Sequence, residues 1–342
     1  VRLEFTRRTL ALHEPMQTSY GAIASRELLA VSITDAAGVS GDGEAAPLEP
    51  YDGVSIERAA QALDRYGSVL ERFDGAEGGA LDACREADEL PCALAAIDLA
   101  LWDRAGKLAA APVAELLCEH PARTVAVNAT LTAHDRATVA EQAHAAAQDG
   151  YECVKVKVAI GDDAGRVAAA RAGAGADVAL RLDANGAWTV EEAVSAIDAL
   201  SPAGLELVEE PVHGVAAIRE LRERVAVRVA IDETAAEPGA LAAGAADAVC
   251  LKIARCGGIS GLLAAATLVR ASGAEPYLAS TLDGPLGIAA ALHAAAALAS
   301  QAPIAHCGLA TLGVFAELED PLPARGGRIE VPRAPGLGVR AI

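Results

Sequence analysis

The chain has 342 residues, 53% of them hydrophobic and 22% charged, which supplies a large buried core and suggests two domains, or one large barrel with a smaller unit attached. Aromatic residues make up only 3%, so small Ala, Val and Leu side chains must do most of the packing. A net charge of -19 argues against nucleic acid, whose phosphates would be repelled, and against an anionic membrane surface.

The chain opens on VRLEFTRRTL, which is charged and strand-like, so a secretory leader is not expected. Residues 2–10 and 27–34 read as two strands separated by a polar loop, MQTSYGAIAS, and are followed by a Gly-rich turn, GVSGDGE, and the loop PLEPYDG. Residues 55–72, 80–87 and 91–105 then carry apolar positions at helical spacing. Strands followed by a run of helices predict a small α+β unit, placed at 1–120.

From Val125 the pattern becomes short apolar strands alternating with Ala-rich helices. Strands are expected at 125–129, 153–158, 179–183, 205–209, 228–232, 248–252, 276–280 and 303–307, with helices such as 190–200, 215–223 and 258–272 between most of them. Eight such units predict a (β/α) barrel over 121–310 with its site at the C-terminal strand ends. An open doubly wound sheet would normally carry GxGxxG or GxxxxGK[ST] after its first strand, and neither motif is present. The segment 311–342 loses the alternation and is expected to pack back on the first unit. The longest apolar stretch, Ile288 to Ala299, is too short to span a bilayer. Seven cysteines, an odd number without a CxxC pair, read as free thiols in a reducing cytoplasm, with Cys92, Cys153, Cys250 and Cys307 in apolar runs. The seven histidines show no ligand spacing. His306 on the last strand reads as a core residue, and the others as surface or helix residues.

The charges carry the chemistry. In VKVKV, Lys155 and Lys157 alternate with three valines that must face the covering helices, so both lysines are driven into the barrel. The next three strands end in acid, at Asp183, Glu209 and Asp232, one strand–helix unit apart. Three converging carboxylates would repel one another unless a cation intervened. An all-oxygen donor set favours Mg²⁺, with Mn²⁺ as the alternative. Each acid could instead cap the helix that follows it. Glu210 and Glu233 are adjacent alternatives, since strand alternation permits only one of each pair to face the centre. One unit later, Lys252 ends the strand AVCLK. The mouth would then carry lysine, three acids and lysine in strand order. A proton α to a carboxylate is too weakly acidic for an ordinary base. A dication on that carboxylate stabilises the enediolate, and a lysine beside a dication and a second lysine would have its ammonium form disfavoured.

At these residues the sequence resembles the muconate-lactonizing subgroup of the enolase superfamily. VKVKV, LDANGAW, VEEP, AIDET and LKIARCGGI match its lysine strand, its three metal strands and its opposing lysine strand, and TSYGAIASRELLAVSITD and GDGEAAPLEPYDG match its capping domain. The resemblance implies a modified (β/α)8 barrel with an N-terminal α+β cap. It also implies Asp183, Glu209 and Asp232 as Mg²⁺ ligands, Lys157 and Lys252 as the acid/base pair, Lys155 tuning Lys157, and Asn185 supporting the bound carboxylate. Tyr20 and Tyr51 lie in the two cap loops that would close over the mouth. They are expected to touch the substrate and exclude water, or else to be packed interdomain residues. Ser280 and Asp283 are expected to contact substrate if they face the mouth, and otherwise to cap a helix.

Within the subgroup, VAVNATL, VKVKV, DANGAW and CGLATL are similar to the o-succinylbenzoate synthases, which implies dehydration of a small carboxylate substrate. STLDG departs from that pattern, placing Asp283 where a glutamate is common. Dipeptide epimerases usually carry an Asp-x-Asp pair where HCGLATLG has no acid. The alternatives are racemisation or epimerisation of an N-acylamino acid or dipeptide, muconate-type cycloisomerisation, and a catalytically silent barrel that binds a carboxylate. The sequence leaves self-association into a homo-oligomer open.

Overall fold

Strands Arg2–Thr18 (β1), Gly21–Thr34 (β2) and Ser40–Ala45 (β3) form an antiparallel sheet in the order β1-β2-β3 in this computed structural model, which describes residues 1–18, 21–73 and 79–342. The stretch expected as a polar loop is largely strand. Met16 pairs with Ile23 after a register irregularity between Ala11 and Met16, so the hairpin runs on beyond its apolar part. Alternation along β2 buries Leu29, Val31 and Ile33 against helices Ile56–Leu70 (α2 of the chain) and Pro91–Ala109 (α4), with Glu49–Asp52 (α1) and Ala80–Ala87 (α3) beside them. β3 meets α4 backbone to backbone. A Cβ on Gly41 or Gly43 would lie 2.0 Å from the carbonyl oxygen of Ala100 or Ala96, so only glycine permits this approach.

A short helix, Val113–Leu117 (α5), leads to Thr124–Ala126 (β4) and Ala129–Leu131 (β5). Helix and strand then alternate through Arg136–Gln148 (α6), Cys153–Lys157 (β6), Asp163–Ala174 (α7), Ala179–Asp183 (β7), Val190–Leu200 (α8), Leu205–Glu209 (β8), Val215–Arg224 (α9) and Arg228–Ile231 (β9). The run continues through Ala248–Leu251 (β10), Ile253–Cys256 (α10), Ile259–Ala271 (α11), Glu275–Leu278 (β11) and Pro285–Gln301 (α12). β5 to β11 form one sheet in chain order, and every adjacent pair is parallel. Closure comes from residues 307 and 308. Cys307 bridges Val127 and Gly308 bridges Ala279, both parallel, so this stretch stands as an eighth stave between β11 and β5. The fold is a (β/α)8 barrel with an N-terminal cap.

Two of the expected barrel strands change. The run expected as the first barrel strand splits: Thr124–Ala126 pairs antiparallel with Arg328–Glu330 (β12), and the stave proper is Ala129–Leu131. The strand expected at 303–307 is reduced to the two bridges. Between β9 and β10, only the short 3-10 turns Glu233–Ala236 and Ala240–Ala242 stand where a helix would complete the pattern. The end of the chain returns to the cap: Ala316 N–H donates to Ala11 O, and Arg8 Nε to Ile342 O. His293 is helical, as expected, and fully buried. Its Nδ1 accepts from Ala114 N–H, its Nε2 faces Leu337 O, and burial lowers it to about 4.

Candidate active site

Strand alternation settles the lysine strand. Val154, Val156 and Val158 are buried under the helices, and Lys155 and Lys157 point into the barrel. The register sets Lys157 beside Asp183 and Asp183 beside Glu209 on adjacent staves. Lys157 Nζ lies 2.6 Å from Asp183 Oδ2 and donates to Asn185 Oδ1 at 2.6 Å. Lys155 Nζ sits between two acids, 2.8 Å from Asp183 and 2.7 Å from Glu209. On the opposite flank, Lys252 Nζ lies 2.5 Å from Asp232 Oδ2. All six expected side chains therefore meet in one chamber at the C-terminal ends of β6 to β10.

The adjacent acids take separate roles. Glu209 faces the chamber. Glu210, whose backbone adopts φ +40°, turns away and accepts from the N–H groups of Asp232 and Thr234 and from Thr234 Oγ1, which fixes the turn that carries Asp232. Glu233 Oε1 accepts from Asn185 Nδ2 at 2.9 Å, so Asn185 links the lysine strand to the far side of the mouth.

Tyr51 reaches in from the cap. Its hydroxyl donates to Asp232 Oδ1 at 2.8 Å and accepts from Lys252 Nζ at 2.7 Å, while Arg255 lies 4.8 Å from the centre of its ring. Tyr20 lies outside the described residues. Ser280 Oγ pairs with Thr311 Oγ1 at 2.9 Å, tying β11 to the eighth stave at the rim. Asp283 is buried at the cap–barrel seam, where it accepts from Thr281 Oγ1 and, with Glu44 of β3, closes around Gly287.

Two residues were not singled out by the sequence reading. Tyr277 on β11 donates to Glu209 Oε2 at 2.8 Å. Below it Arg181, fully buried, binds Glu206 and the carbonyl oxygen of His306. Both stand at inward positions of apolar strands, where an aromatic ring or a long side chain reads as core. Inward position was the one signal that could have found them.

Burial opposes charge on every one of these groups, and pairing decides the outcome. Burial would raise Asp183, but Lys155 and then Lys157 hold it well below the usual carboxylate range. Asp232 is likewise lowered, burial being outweighed by Lys252. Glu209 stays raised, by burial and by the neighbouring Asp183 and Asp232 charges, with Lys155 opposing. Burial disfavours the Lys252 ammonium, yet Asp232 and then Tyr51 hold it well above the ordinary lysine value. That direction is opposite to the expectation of a disfavoured ammonium, because the acids that would hold a dication pair here with the lysines.

The donor set fits a hard dication. One ligand atom each from Glu209, Asp232 and Cys250 lie within 4.8 Å of one another, and Asp183 joins Glu209 through Lys155. The Cys250 thiol is pushed far up by burial and so stays protonated, which leaves carboxylate oxygens as the donors suited to Mg²⁺. Among the described residues no helix is long and apolar enough to cross a membrane.

Comparison with known proteins identifies the family of the fold. Residues 2–118 match the mandelate racemase / muconate lactonizing enzyme N-terminal domain, and residues 138–341 match the enolase C-terminal domain-like family. Muconate cycloisomerase 1 of Rhodococcus opacus is 30% identical, over 99% of this chain and 95% of its own length. An o-succinylbenzoate synthase of Mycobacterium tuberculosis (strain CDC 1551 / Oshkosh) is 44% identical over 205 residues, 56% of this chain and 59% of its own. A dipeptide epimerase from Enterococcus faecalis V583, solved with Mg and the dipeptide L-Leu-L-Tyr, superposes with a TM-score of 0.87 at 28% identity, covering 98% of each chain. The chain is an enzyme of the mandelate racemase / muconate lactonizing enzyme family, within the enolase superfamily.

Proposed function

We propose that this enzyme moves a proton at the carbon next to a carboxylate, and that it does so by two-sided transfer, racemising or epimerising an N-acylated amino acid or a dipeptide-like substrate. The observation that carries this reading is the pair of lysines on opposite flanks of the acids: Lys157 on β6 and Lys252 beyond β10, with Asp183, Glu209 and Asp232 on the three staves between. Inversion at one carbon requires a proton taken from one face and returned to the other, and two opposed amines match that need. Similarity over nearly the whole chain also runs to isomerases.

In this reading Asp183, Glu209 and Asp232 hold Mg²⁺, or Mn²⁺ in its place. The bound ion supplies electrostatic stabilisation of the charge that builds on the substrate carboxylate as the proton leaves. Lys157 Nζ holds or takes the proton on one face and Lys252 Nζ on the other. Lys155 spaces Asp183 from Glu209 and biases Lys157 by its charge. Asn185 orients Lys157 and reaches toward the substrate carboxylate. Tyr51 covers Lys252 from the cap and keeps water off it, which strengthens every charge interaction inside. Ser280 at the rim would meet the distal part of the substrate. The segment CGLATL there offers no carboxylate to pair with an ammonium, which favours an acylated over a free amine. Seven free thiols suit a reducing cytoplasm.

A second reading, dehydration of the o-succinylbenzoate synthase kind, rests on the 44% identity over 205 residues. Elimination needs one base on one face, so the two readings separate experimentally. With Mg²⁺ in heavy water, a panel of N-acylamino acids and dipeptides should lose optical rotation and take up one deuterium at the α-carbon. Formation of an aromatic chromophore from a cyclohexadiene carboxylate, with no exchange on that panel, would move the assignment to dehydration.

A further inference from the structure

Cys250 stands on β10 two residues before Lys252 and points to the same side, into the barrel. It is 2% exposed, and it packs on the chamber floor with Leu207, Ala230, Ala248, Tyr277 and Ala305. The proton chemistry above has no use for it: both amines are already placed, and no covalent intermediate is needed. Yet its Sγ and one oxygen each of Glu209 and Asp232 lie within 4.8 Å of one another, all three side chains being buried. Donor atoms around one ion, with bonds of about 2.0–2.3 Å, stand roughly 3–4.5 Å apart, so these three suit a common centre once the Glu209 and Asp232 oxygens leave their lysine and tyrosine partners.

We propose that Glu209, Asp232 and Cys250 form a mixed oxygen–sulfur subsite on the chamber floor that takes a soft or borderline divalent ion, Zn²⁺ or Cd²⁺, to the exclusion of Mg²⁺. The inference rests on the reading of Glu209 and Asp232 as cation ligands. Asp183, Glu209 and Asp232 offer an oxygen face to a hard ion, whereas the sulfur below offers a bond that Mg²⁺ makes poorly and Cd²⁺ makes well. Two of the acids are shared, so one ion excludes the other. Binding is a proton-for-metal exchange at sulfur: the S–H bond breaks, the S–metal bond forms, the proton leaves to water, and nothing is oxidised or reduced. A hard ion gains little from a sulfur donor, so the subsite is silent toward Mg²⁺. A soft ion then acts as an inhibitor held by the protein's own floor.

The test uses the metal-free full chain and its Cys250→Ser and Cys250→Ala variants, each checked for folding by circular dichroism. Cd²⁺ is titrated in while the ultraviolet thiolate-to-metal charge-transfer band is followed, and Mn²⁺ binding is read in parallel by electron paramagnetic resonance. The wild-type chain should develop the band at one equivalent of Cd²⁺ and release bound Mn²⁺. Both variants should bind Mn²⁺ as the wild type does, lack the band, and bind Cd²⁺ more weakly by at least the roughly 10- to 100-fold that loss of even an outer-shell partner costs. The six remaining cysteines are common to all three proteins and cancel in the comparison. An equal band and equal Cd²⁺ affinity in all three, with Mn²⁺ still bound, would overturn the sulfur subsite and leave the Mg²⁺ reading standing. No binding of either ion by the wild type would overturn both.

Discussion

Lys155 shows how a buried charge can be held in place by the groups it neutralises. Its ammonium sits between Asp183 and Glu209, and burial disfavours it until those two acids raise it above the ordinary lysine value. Replacing it by methionine would leave two buried carboxylates facing one another, a loss of about 3–5 kcal/mol for a broken buried pair. Lys155→Met should therefore melt well below the wild type in chelator, and Mg²⁺ should raise its melting temperature by more than it raises that of the wild type. Equal shifts in the two proteins would mean that the ion does not replace the lysine's charge. Lys157→Ala and Lys252→Ala should each lower kcat by roughly 10²–10⁴ without changing the circular dichroism spectrum, the usual loss for a positioned acid or base. Tyr277→Phe should cost about 1–3 kcal/mol in a denaturant titration, since Glu209 Oε2 loses a buried donor. The acids and lysines were legible in the sequence because a charge ending an otherwise apolar strand, repeated once per strand–helix unit, has few structural explanations. Tyr277 was not, because a tyrosine in an apolar strand packs equally well with or without a partner for its hydroxyl.

The helices with amphipathic spacing and the six staves from β6 to β11 follow from hydrophobic period alone. The barrel elements that differ from expectation are those whose partner is distant in sequence. VAV at 125–127 suits a barrel stave and an antiparallel edge equally, and only Arg328–Glu330, two hundred residues later, decides it. The eighth stave carries too few ladder bonds for any period to show, and Met16–Thr18 and Gly21–Ile23 extend the hairpin because each strand supplies the other's partners. The glycines of GVSGDGE read as a turn, yet Gly41 and Gly43 lie within β3 and serve close packing against α4. Gly43→Ala should therefore destabilise the cap by about 1–3 kcal/mol or more, since its methyl would overlap the Ala96 carbonyl and move strand or helix. Hydrogen exchange should show the loss in β3 and α4 ahead of the staves β6 to β9. Uniform loss across the molecule would mean that cap and barrel unfold as one unit.

Across the whole molecule, cap and barrel are joined by charge as well as by apolar packing. Tyr51 carries the cap to Asp232 and Lys252, and Glu44 on β3 accepts from Gly284 N–H at 2.6 Å, at the start of α12. The groups facing Glu44 are Asp283 from the barrel and Arg26 from β2, whose guanidinium is also engaged by the carbonyl oxygens of Ala46 and Pro47. Burial first, and Asp283 second, push Glu44 from its ordinary 4.5 up to about 8, and Asp283 is raised as well. A carboxyl raised by folding binds its proton more tightly in the native state. Its contribution is fully present below pH 4.5, declines as pH rises, and is lost once pH passes about 8. Within that window one such proton lowers stability by at most about 1.4 kcal/mol per pH unit. Glutamine keeps an acceptor for Gly284 N–H and does not titrate. Glu44→Gln should match the wild type in denaturant titrations near pH 5 and be the more stable protein near pH 9, with the two curves separating between. Parallel curves over that range would show that Glu44 is already ionised in the folded protein at low pH, and that Arg26, rather than a retained proton, neutralises the seam.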